Sequence, residues 1–148
     1  KAESRYKKKL ITESCFHLHK ILDSVFQMEK ARTTLKQAEG NVTLCFWEVV
    51  ANRLYYACFH AVSALLIEYG YAFKSHEGLV NLFGMHFVRT NLVDIELGRF
   101  LSQLQSMREK GDYNCIYNVT EEDISPMIEP AKKLIAVADQ LITSHTNA

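Results

Sequence analysis

The sequence predicts an all-α protein, folded as an antiparallel bundle of four to five helices. Three observations lead to this fold class. Apolar residues recur with the three- and four-residue spacing of helices along most of the chain. No segment keeps the alternation of Val, Ile and Thr with polar residues that strands require. The only prolines, Pro126 and Pro130, lie after residue 120. At 148 residues the chain is long enough for one well-buried domain, which we expect to span residues 1–148.

Composition excludes several broad classes of protein. Seventeen Lys and Arg residues balance seventeen Asp and Glu residues, so no field of the whole protein attracts nucleic acid, and an RNA site has to be a local patch. No apolar run approaches the roughly 20 residues of a membrane span, and no signal-peptide pattern opens the chain. The four cysteines are widely spaced, as in reduced thiols of a cytoplasmic protein. We therefore expect a cytoplasmic location and no membrane partner.

The first helical region runs from about Ser4 to Glu39. Its apolar stripe consists of Leu10, Ile11, Leu18, Ile21, Leu22, Val25, Phe26, Met28, Ala31, Leu35 and Ala38. About 36 residues is long for one globular helix, and a capping-box spacing begins at Ser24. The region is therefore predicted to break into two helices near Asp23 and to end at Gly40 and Asn41.

The second region, Leu44 to Tyr69, contains no Gly or Pro and is apolar on nearly every side, which is typical of a buried central helix that closes near Gly70. At 100° per residue, Arg53, Tyr56 and His60 fall within about 60° of one another. A charged group carried toward an interior needs a partner. The pattern therefore predicts a polar cluster at or near the core.

Three further helices follow. The third runs from about Ser75 to Arg89, with Leu79, Leu82, Phe83 and Phe87 facing inward. The fourth spans about Asp94 to Lys110 and stops at Gly111, and a loop extends from Asp112 to Asn118. The fifth opens at Thr120 with an acidic first turn, is bent or restarted early by the two prolines, and runs to about residue 143.

The fourth helix holds a second polar signal. Leu97, Leu101 and Leu104 form an apolar row, and Arg108 continues it within about 20° of Leu97. One interpretation is that Arg108 extends from the last turn to water and pairs with Asp112. The other is that Arg108 lines a cleft and holds a phosphate. Asp112 is the preferred partner for Arg53 or Arg108, because leaving a buried charge unpaired lowers stability by about 3–5 kcal/mol.

These segments together resemble a known superfamily. Arg53-Leu54-Tyr55-Tyr56-Ala57-Cys58-Phe59-His60, then Lys74-Ser75-His76-Glu77-Gly78, then Arg108-Glu109-Lys110-Gly111-Asp112-Tyr113 are similar to the HEPN superfamily, in its branch with Arg-x-Tyr-Tyr-Ala-x-Phe-His and Arg-x-x-x-Asp-Tyr motifs. The likeness covers about Val25 to Ile142, and residues 1–24 are an N-terminal helical extension outside it. It implies a helical bundle, a symmetric homodimer and a link to RNA.

In many HEPN proteins an Arg followed after four to six residues by a His forms a metal-independent endoribonuclease site, often in a toxin paired with a small nucleotidyltransferase. The resemblance therefore implies Arg108, Asp112 and Tyr113 as catalytic candidates, with Arg53, Tyr56 and His60 as the binding or polar-core residues. Here Tyr113 occupies the position of the usual His. A Tyr with a pKa near 10 is a poor base at neutral pH, so another His would have to take its part.

The remaining candidates favour structural roles. Ser75 is a helix N-cap with His76 beside it, and a plain cap is favoured over a phosphate site. His86 falls on the apolar side of its helix. Cys15 and His19 could share an ion, but two ligands are too few, so no metal is expected. The lysines at 7–9 are a solvated helix face or a contact to a nucleic-acid backbone.

No cofactor signature is present: the chain has no phosphate-binding Gly-rich loop and no His-Glu-x-x-His motif. Two functions are therefore weighed. The leading one is an RNA- or nucleotide-binding HEPN protein, a toxin–antitoxin component with weak or degenerate ribonuclease activity. The alternative is a non-catalytic dimeric scaffold that partners a nucleotidyltransferase.

Overall fold

The computed structural model describes residues 2–113 and 118–148, and side chains within 3–111 and 118–148. This part of the chain contains six α-helices and no strand, which confirms the prediction of an all-α bundle. The helices are α1 (Ala2–Thr43), α2 (Trp47–Glu68), α3 (His76–Phe83), α4 (Ile95–Tyr113), α5 (Glu121–Ile124) and α6 (Ile128–Thr146).

Helices α1 and α2 form an antiparallel pair. Three polar contacts along their interface join residues whose numbers rise on α1 as they fall on α2. Ser24 donates to the Ala64 carbonyl at 2.9 Å, Gln27 contacts His60 at 2.8 Å, and Gln37 accepts from Arg53 at 3.3 Å. Helix α6 packs against the same pair of helices. One of its contacts is a hydrogen bond from the Cys58 thiol of α2 to the Ala131 carbonyl of α6, at 3.9 Å.

The prediction of a break near Asp23 and of a stop at Gly40 is wrong, because α1 continues to Thr43. One interior Gly costs only about 1 kcal/mol in a helix. Burial of Ala38 before the predicted stop, and partial burial of Val42 after it, offset that cost. Ion pairs of α1 with α6, from Arg32 to Asp139 at 2.9 Å and from Glu39 to Lys132 at 3.0 Å, also hold its C-terminal half.

The predicted apolar stripe of α1 is buried only in part. Met28, Ala31 and Ala38 are in the core and Leu35 is half-buried. In the first half of the helix Leu10, Ile11, Leu18, Leu22, Val25 and Phe26 are exposed, and Ile21 is half-buried. The predicted stripe is therefore not one face: its exposed first half and its buried second half lie on different sides of α1, and this chain covers only the second.

Helix α2 is the central helix, as predicted, and Gly70 closes it with φ +85°. Eleven of its residues are buried, Leu54, Tyr55 and Leu65 among them. By length and composition it is also the one helix in the described part that could cross a membrane, contrary to the expectation that no run approaches that length. Since 61% of its apolar window is buried inside the bundle, the same composition fits a core helix.

Ser75 caps α3, as predicted, and its hydroxyl accepts from the Gly78 amide at 2.9 Å. A π-helical turn, Gly84–Val88, then continues the helix and keeps Phe83 and Phe87 in the core. Leu79 is also buried, as predicted, and Leu82 is partly buried.

Helix α4 does not stop at Gly111, because it runs to Tyr113. Gly111 has no positive φ, so it is an interior helical residue and not the expected C-terminal cap. The predicted loop from Asp112 therefore starts too early, and its residues 114–117 lie outside the described residues.

The start of the last region agrees with its prediction. Thr120 and Asp123 form a reciprocal capping box in which Asp123 accepts from the Thr120 amide at 3.0 Å. Helix α5 then gives way to a 3₁₀ turn, Ser125–Met127, that contains Pro126. Pro130 lies in the first turn of α6. A backbone N–H at this position would have no intrahelical acceptor, so the N–H that proline lacks is not missed.

Candidate functional site

Arg53, Tyr56 and His60 lie on one side of α2 and are half-buried at its edge with α1. The Arg53 guanidinium lies over the Tyr56 ring, 5.5 Å from its centroid, and the Tyr56 and His60 rings are 6.3 Å apart. The structure thus brings the three predicted polar-core residues together along one helix face.

Amide side chains hold the two ends of this row. Arg53 donates to Asn52 Oδ1 through Nε at 3.1 Å and through Nη2 at 2.6 Å, and to Gln37 Oε1 at 3.3 Å. His60 Nδ1 lies 2.8 Å from Gln27 Oε1. Two residues of α1, Gln27 and Gln37, therefore fix His60 and Arg53, which no sequence pattern indicated.

Partial burial lowers the pKa of His60 below 6.5, because the imidazolium form loses hydration. The charges of Lys30 and Arg53 lower it further. His60 is therefore neutral at pH 7, with Nδ1 bound to Gln27, which fits a structural role on the α1–α2 interface.

Arg108 reaches this cluster from α4. Its guanidinium carbon lies 5.6 Å from the centroid of the Tyr55 ring and 5.7 Å from that of Tyr56. The side chain is half-buried and its Nε is buried. Leu97, Leu101 and Leu104 on the same row of α4 are buried, so the row predicted from spacing does aim Arg108 at α2.

The Tyr56 ring thus contacts two guanidinium groups, those of Arg53 and Arg108. A cation over the face of an aromatic ring is stabilised by about 0.5–2 kcal/mol, more where water is excluded. This contact holds two positive charges near each other on one side of the bundle. It is the local basic patch that a chain with no net charge would need to bind an anion.

Tyr55 and His76 extend the cluster to α3. The Tyr55 hydroxyl and His76 Nδ1 lie 2.5 Å apart, and the His76 ring stacks on Phe59 with centroids 4.4 Å apart. Burial raises the pKa of Tyr55 to about 12, although the positive charge of Arg108 and its hydrogen bond to Tyr55 oppose the rise. Tyr55 is therefore a neutral hydroxyl at pH 7 that links His76 to Arg108.

Sequence reasoning missed this connection. The central helix was predicted to be apolar on nearly every side except for Arg53, Tyr56 and His60, and His76 was taken as the neighbour of a cap. The cap is present, but His76 also lies against the central helix. Twenty-one residues separate Tyr55 from His76, and their contact depends on the path of the chain between Gly70 and Ser75. The available signal was that Ser75-His76-Glu77-Gly78 belonged to the same resemblance as the central helix.

A cavity of about 160 Å³ opens beside Arg108. Its polar lining comes from Glu48, Asn52 and Arg108, and the rest of its wall is formed by Ala51, Leu104, Met107, Gly111 and Val119. Asn52 also binds Arg53, so one residue connects the cavity to the second guanidinium. Larger cavities lie elsewhere, one against Arg99 and Lys133 and another against Phe16 and Tyr71, away from this cluster.

The other catalytic candidates are Asp112 and Tyr113. Their backbone belongs to the last turn of α4, but their side chains lie outside the described residues. Pairing of Asp112 with Arg53 or Arg108 stays a prediction. Within the part of the chain that has described side chains, no three His, Cys, Asp or Glu residues are placed to hold a metal ion.

Comparisons with known proteins agree with the motifs. The model of the HEPN domain family matches residues 24–141. A UPF0332 protein of Thermotoga maritima is 37% identical over 91 residues, which is 62% of this chain and 69% of the relative. A Methanocaldococcus jannaschii protein named "Putative toxin" is 29% identical over 96 residues, 65% of each chain. A UPF0332 protein of Gloeobacter violaceus is 27% identical over 116 residues, 78% of this chain and 92% of the relative. The motifs, the helical bundle and the family match agree, and the chain belongs to the HEPN domain family.

Proposed function

We propose that this chain is the RNA-binding, toxin-type component of a toxin–antitoxin pair and cleaves RNA weakly without a metal ion. It would work in the cytoplasm as a homodimer, with a small nucleotidyltransferase as its partner. The observation that carries the proposal is the Tyr56 ring with Arg53 and Arg108 over it, adjoining a Tyr55–His76 contact. The toxin names of two Methanocaldococcus jannaschii relatives support it.

Arg108 is the group best placed to bind an RNA phosphate. It lines the cavity, its guanidinium is held against two aromatic rings, and a planar guanidinium can donate two hydrogen bonds to one phosphate. Arg53 adds positive charge across the Tyr56 ring. Glu48 opposes binding because its carboxylate lines the same cavity.

Ribonuclease chemistry without a metal needs an acid–base group beside such an arginine. The RNA 2′-hydroxyl loses its proton and attacks the adjacent phosphorus, the bond to the 5′-oxygen breaks, and that oxygen takes up a proton. The products are a 2′,3′-cyclic phosphate and a 5′-hydroxyl. Arg108 would stabilise the charge that develops on the phosphate oxygens. His76 is the imidazole joined to Arg108 through one residue, Tyr55, and it would move the protons that Tyr113 cannot move at neutral pH.

The alternative function is a non-catalytic scaffold, and two observations favour it. Tyr113 stands where active relatives would have a His. Gln37 and Gln27 satisfy Arg53 and His60, as expected if those residues serve only to hold α1 against α2. In that case the cluster would serve only helix packing, and the partner nucleotidyltransferase would do the enzymatic work.

The test is incubation of the purified protein with RNA in a chelator, with detection of cyclic-phosphate ends, beside a measurement of RNA affinity. Arg108→Gln should lower affinity and abolish cleavage. Glu48→Gln, in the lining of the same cavity, should raise affinity because it removes a repulsive charge. Intact RNA in all samples, with affinity unchanged by either substitution, would leave the scaffold function standing.

A further inference from the structure

The exposed half of α1 carries an apolar seam that this chain does not cover. Ile11, Leu18, Leu22 and Val25 are exposed by 69%, 58%, 57% and 53% of their surface. Isolated exposed apolar residues are ordinary, but a contiguous row of four large ones on one helix face marks an interaction site. We propose that this seam pairs, antiparallel, with the same seam of a second copy of the chain.

The spacing of the seam is that of a coiled coil. Ile11, Cys15, Leu18, Leu22 and Val25 follow one another at intervals of four, three, four and three residues, which are alternate a and d positions of a heptad. Cys15 is exposed with its neighbours. The pattern spans two heptads of an unbroken helix.

The seam does not compete with the fold of the bundle. At 100° per residue its mean direction lies roughly 160° from that of the α1 residues buried against the bundle, Ser24, Met28, Ala31, Thr34 and Ala38. A second copy can therefore dock on the seam while α1 keeps its contacts with α2. Four of the five seam residues precede residue 24, where the family match begins, so this surface is an addition to the HEPN domain.

Charge selects the antiparallel orientation. Arg5 and the lysines at 7–9 make the N-terminal end of the seam basic, and Glu29 occupies the next heptad position beyond its other end. Parallel helices would place Lys8 beside Lys8 and Glu29 beside Glu29 of the second copy. Antiparallel helices place the basic end of each copy near the Glu29 of the other, where opposite charges attract.

The antiparallel register follows from the heptads. Matching a positions with d positions places Ile11 opposite Leu22 of the second copy and Cys15 opposite Leu18 of the second copy. The two-fold axis passes between residues 16 and 17. About that axis each seam residue meets a matching residue of an identical seam, as a symmetric homodimer requires. This match indicates that the partner bound at the seam is a second copy of the chain.

Cysteine cross-linking tests the pairing directly. The background has Cys15→Ser, Cys45→Asn and Cys115→Ser. A protein that carries both Ile11→Cys and Leu22→Cys should form a disulfide-linked dimer under mild oxidation, whereas each single substitution should not. Within one helix these two positions are about 16 Å apart, so a disulfide cannot form inside one chain. Cross-linking of the single variants would show parallel pairing, and no cross-linking in the double variant would show no pairing; either result overturns the proposal.

Sedimentation of the otherwise unmodified chain gives a second readout. Leu18→Glu, at the centre of the seam, should lower the assembly mass by a factor of two. Phe16→Glu makes the same kind of change at a residue that is 74% exposed but lies off the seam, and it should leave the mass unchanged. Equal behaviour of the two variants would overturn the proposal. Neither readout depends on RNA cleavage, so this inference and the proposed function fail separately.

Discussion

The Tyr55 hydroxyl and His76 Nδ1 lie 2.5 Å apart, and this contact ties α3 to the central helix beside Arg108. Because burial raises the pKa of Tyr55 to about 12, the hydroxyl stays protonated through the physiological range and acts only as an orienting group. The contact places an imidazole next to the cluster that contains Arg108, as the proposed function requires.

Tyr55→Phe removes the hydroxyl and keeps the ring. Tyr55 is 1% exposed, so we expect the free energy of unfolding to fall by about 0.5–1.5 kcal/mol, the usual contribution of one hydrogen bond. Tyr56→Phe is the matched control, since it removes the hydroxyl of the adjacent, half-buried Tyr and leaves the Tyr55–His76 hydrogen bond in place. Chemical denaturation of both variants measures the difference. Equal losses for the two substitutions would contradict a stabilising Tyr55–His76 contact.

The lowered pKa of His60 predicts how stability depends on pH. Its folded-state pKa lies below the ordinary 6.5, so between these two values the unfolded chain binds more protons than the folded one. The free energy of unfolding should therefore fall as pH drops from about 6.5 through the folded-state pKa of His60, and this contribution should be constant above pH 7.

His60→Gln removes the titrating group and keeps a polar side chain beside Gln27. The variant should lose part of the decline in stability between pH 7 and pH 5, measured by denaturant titration at each pH. NMR titration of the His60 ring in the native protein gives its pKa directly. A midpoint above 6.5 would contradict the lowered pKa.

The sequence predicted much of the fold and about half of the cluster. Periodicity located α2 and the side on which Arg53, Tyr56 and His60 lie, and the Arg108 row of α4, because these relations depend on one helix at a time. Contacts between helices, such as Tyr55 with His76 and Gln37 with Arg53, depend on how the helices pack, which spacing does not specify.

Two errors have a related cause. The exposed seam of α1 has the same pattern as a buried face, since spacing shows that apolar residues align but not what covers them. Gly111 has the residue type of a helix stop, but α4 continues past it to Tyr113. Local propensity is a weak prior that tertiary contacts override.

Two glycines of α4 should therefore respond in opposite ways to substitution by Ala. A Cβ on Gly98 would lie 2.9 Å from Val88 Cγ2, and Val88 is a stiff β-branched residue in the π-helical turn. A Cβ on Gly111 would meet nothing within 4 Å. Gly98→Ala should lower the free energy of unfolding by about 1–3 kcal/mol through overpacking. Gly111→Ala should raise it by up to about 1 kcal/mol through helix propensity.

Adding Val88→Ala supplies the control for the glycine pair. The crowding at Gly98 should disappear in the Gly98→Ala, Val88→Ala double variant, so the two substitutions should show a favourable coupling in a double-mutant cycle. A destabilising Gly111→Ala would indicate that the helix stops at Gly111 after all.

The last prediction separates the two histidines of the cluster. If His76 moves protons during RNA cleavage, His76→Gln should lower the cleavage rate by about 10²–10⁴, the usual effect of losing a positioned acid–base group. His60→Gln should leave the rate within a few-fold, because His60 is held by Gln27 on the α1 side of α2 and is not part of the Tyr55 contact. RNA affinity should stay near that of the unmodified protein in both variants, since Arg108 and Arg53 are retained. The reverse order of effects on cleavage, with His60→Gln the more damaging, would transfer the acid–base role to the Arg53–His60 row and remove His76 from the mechanism.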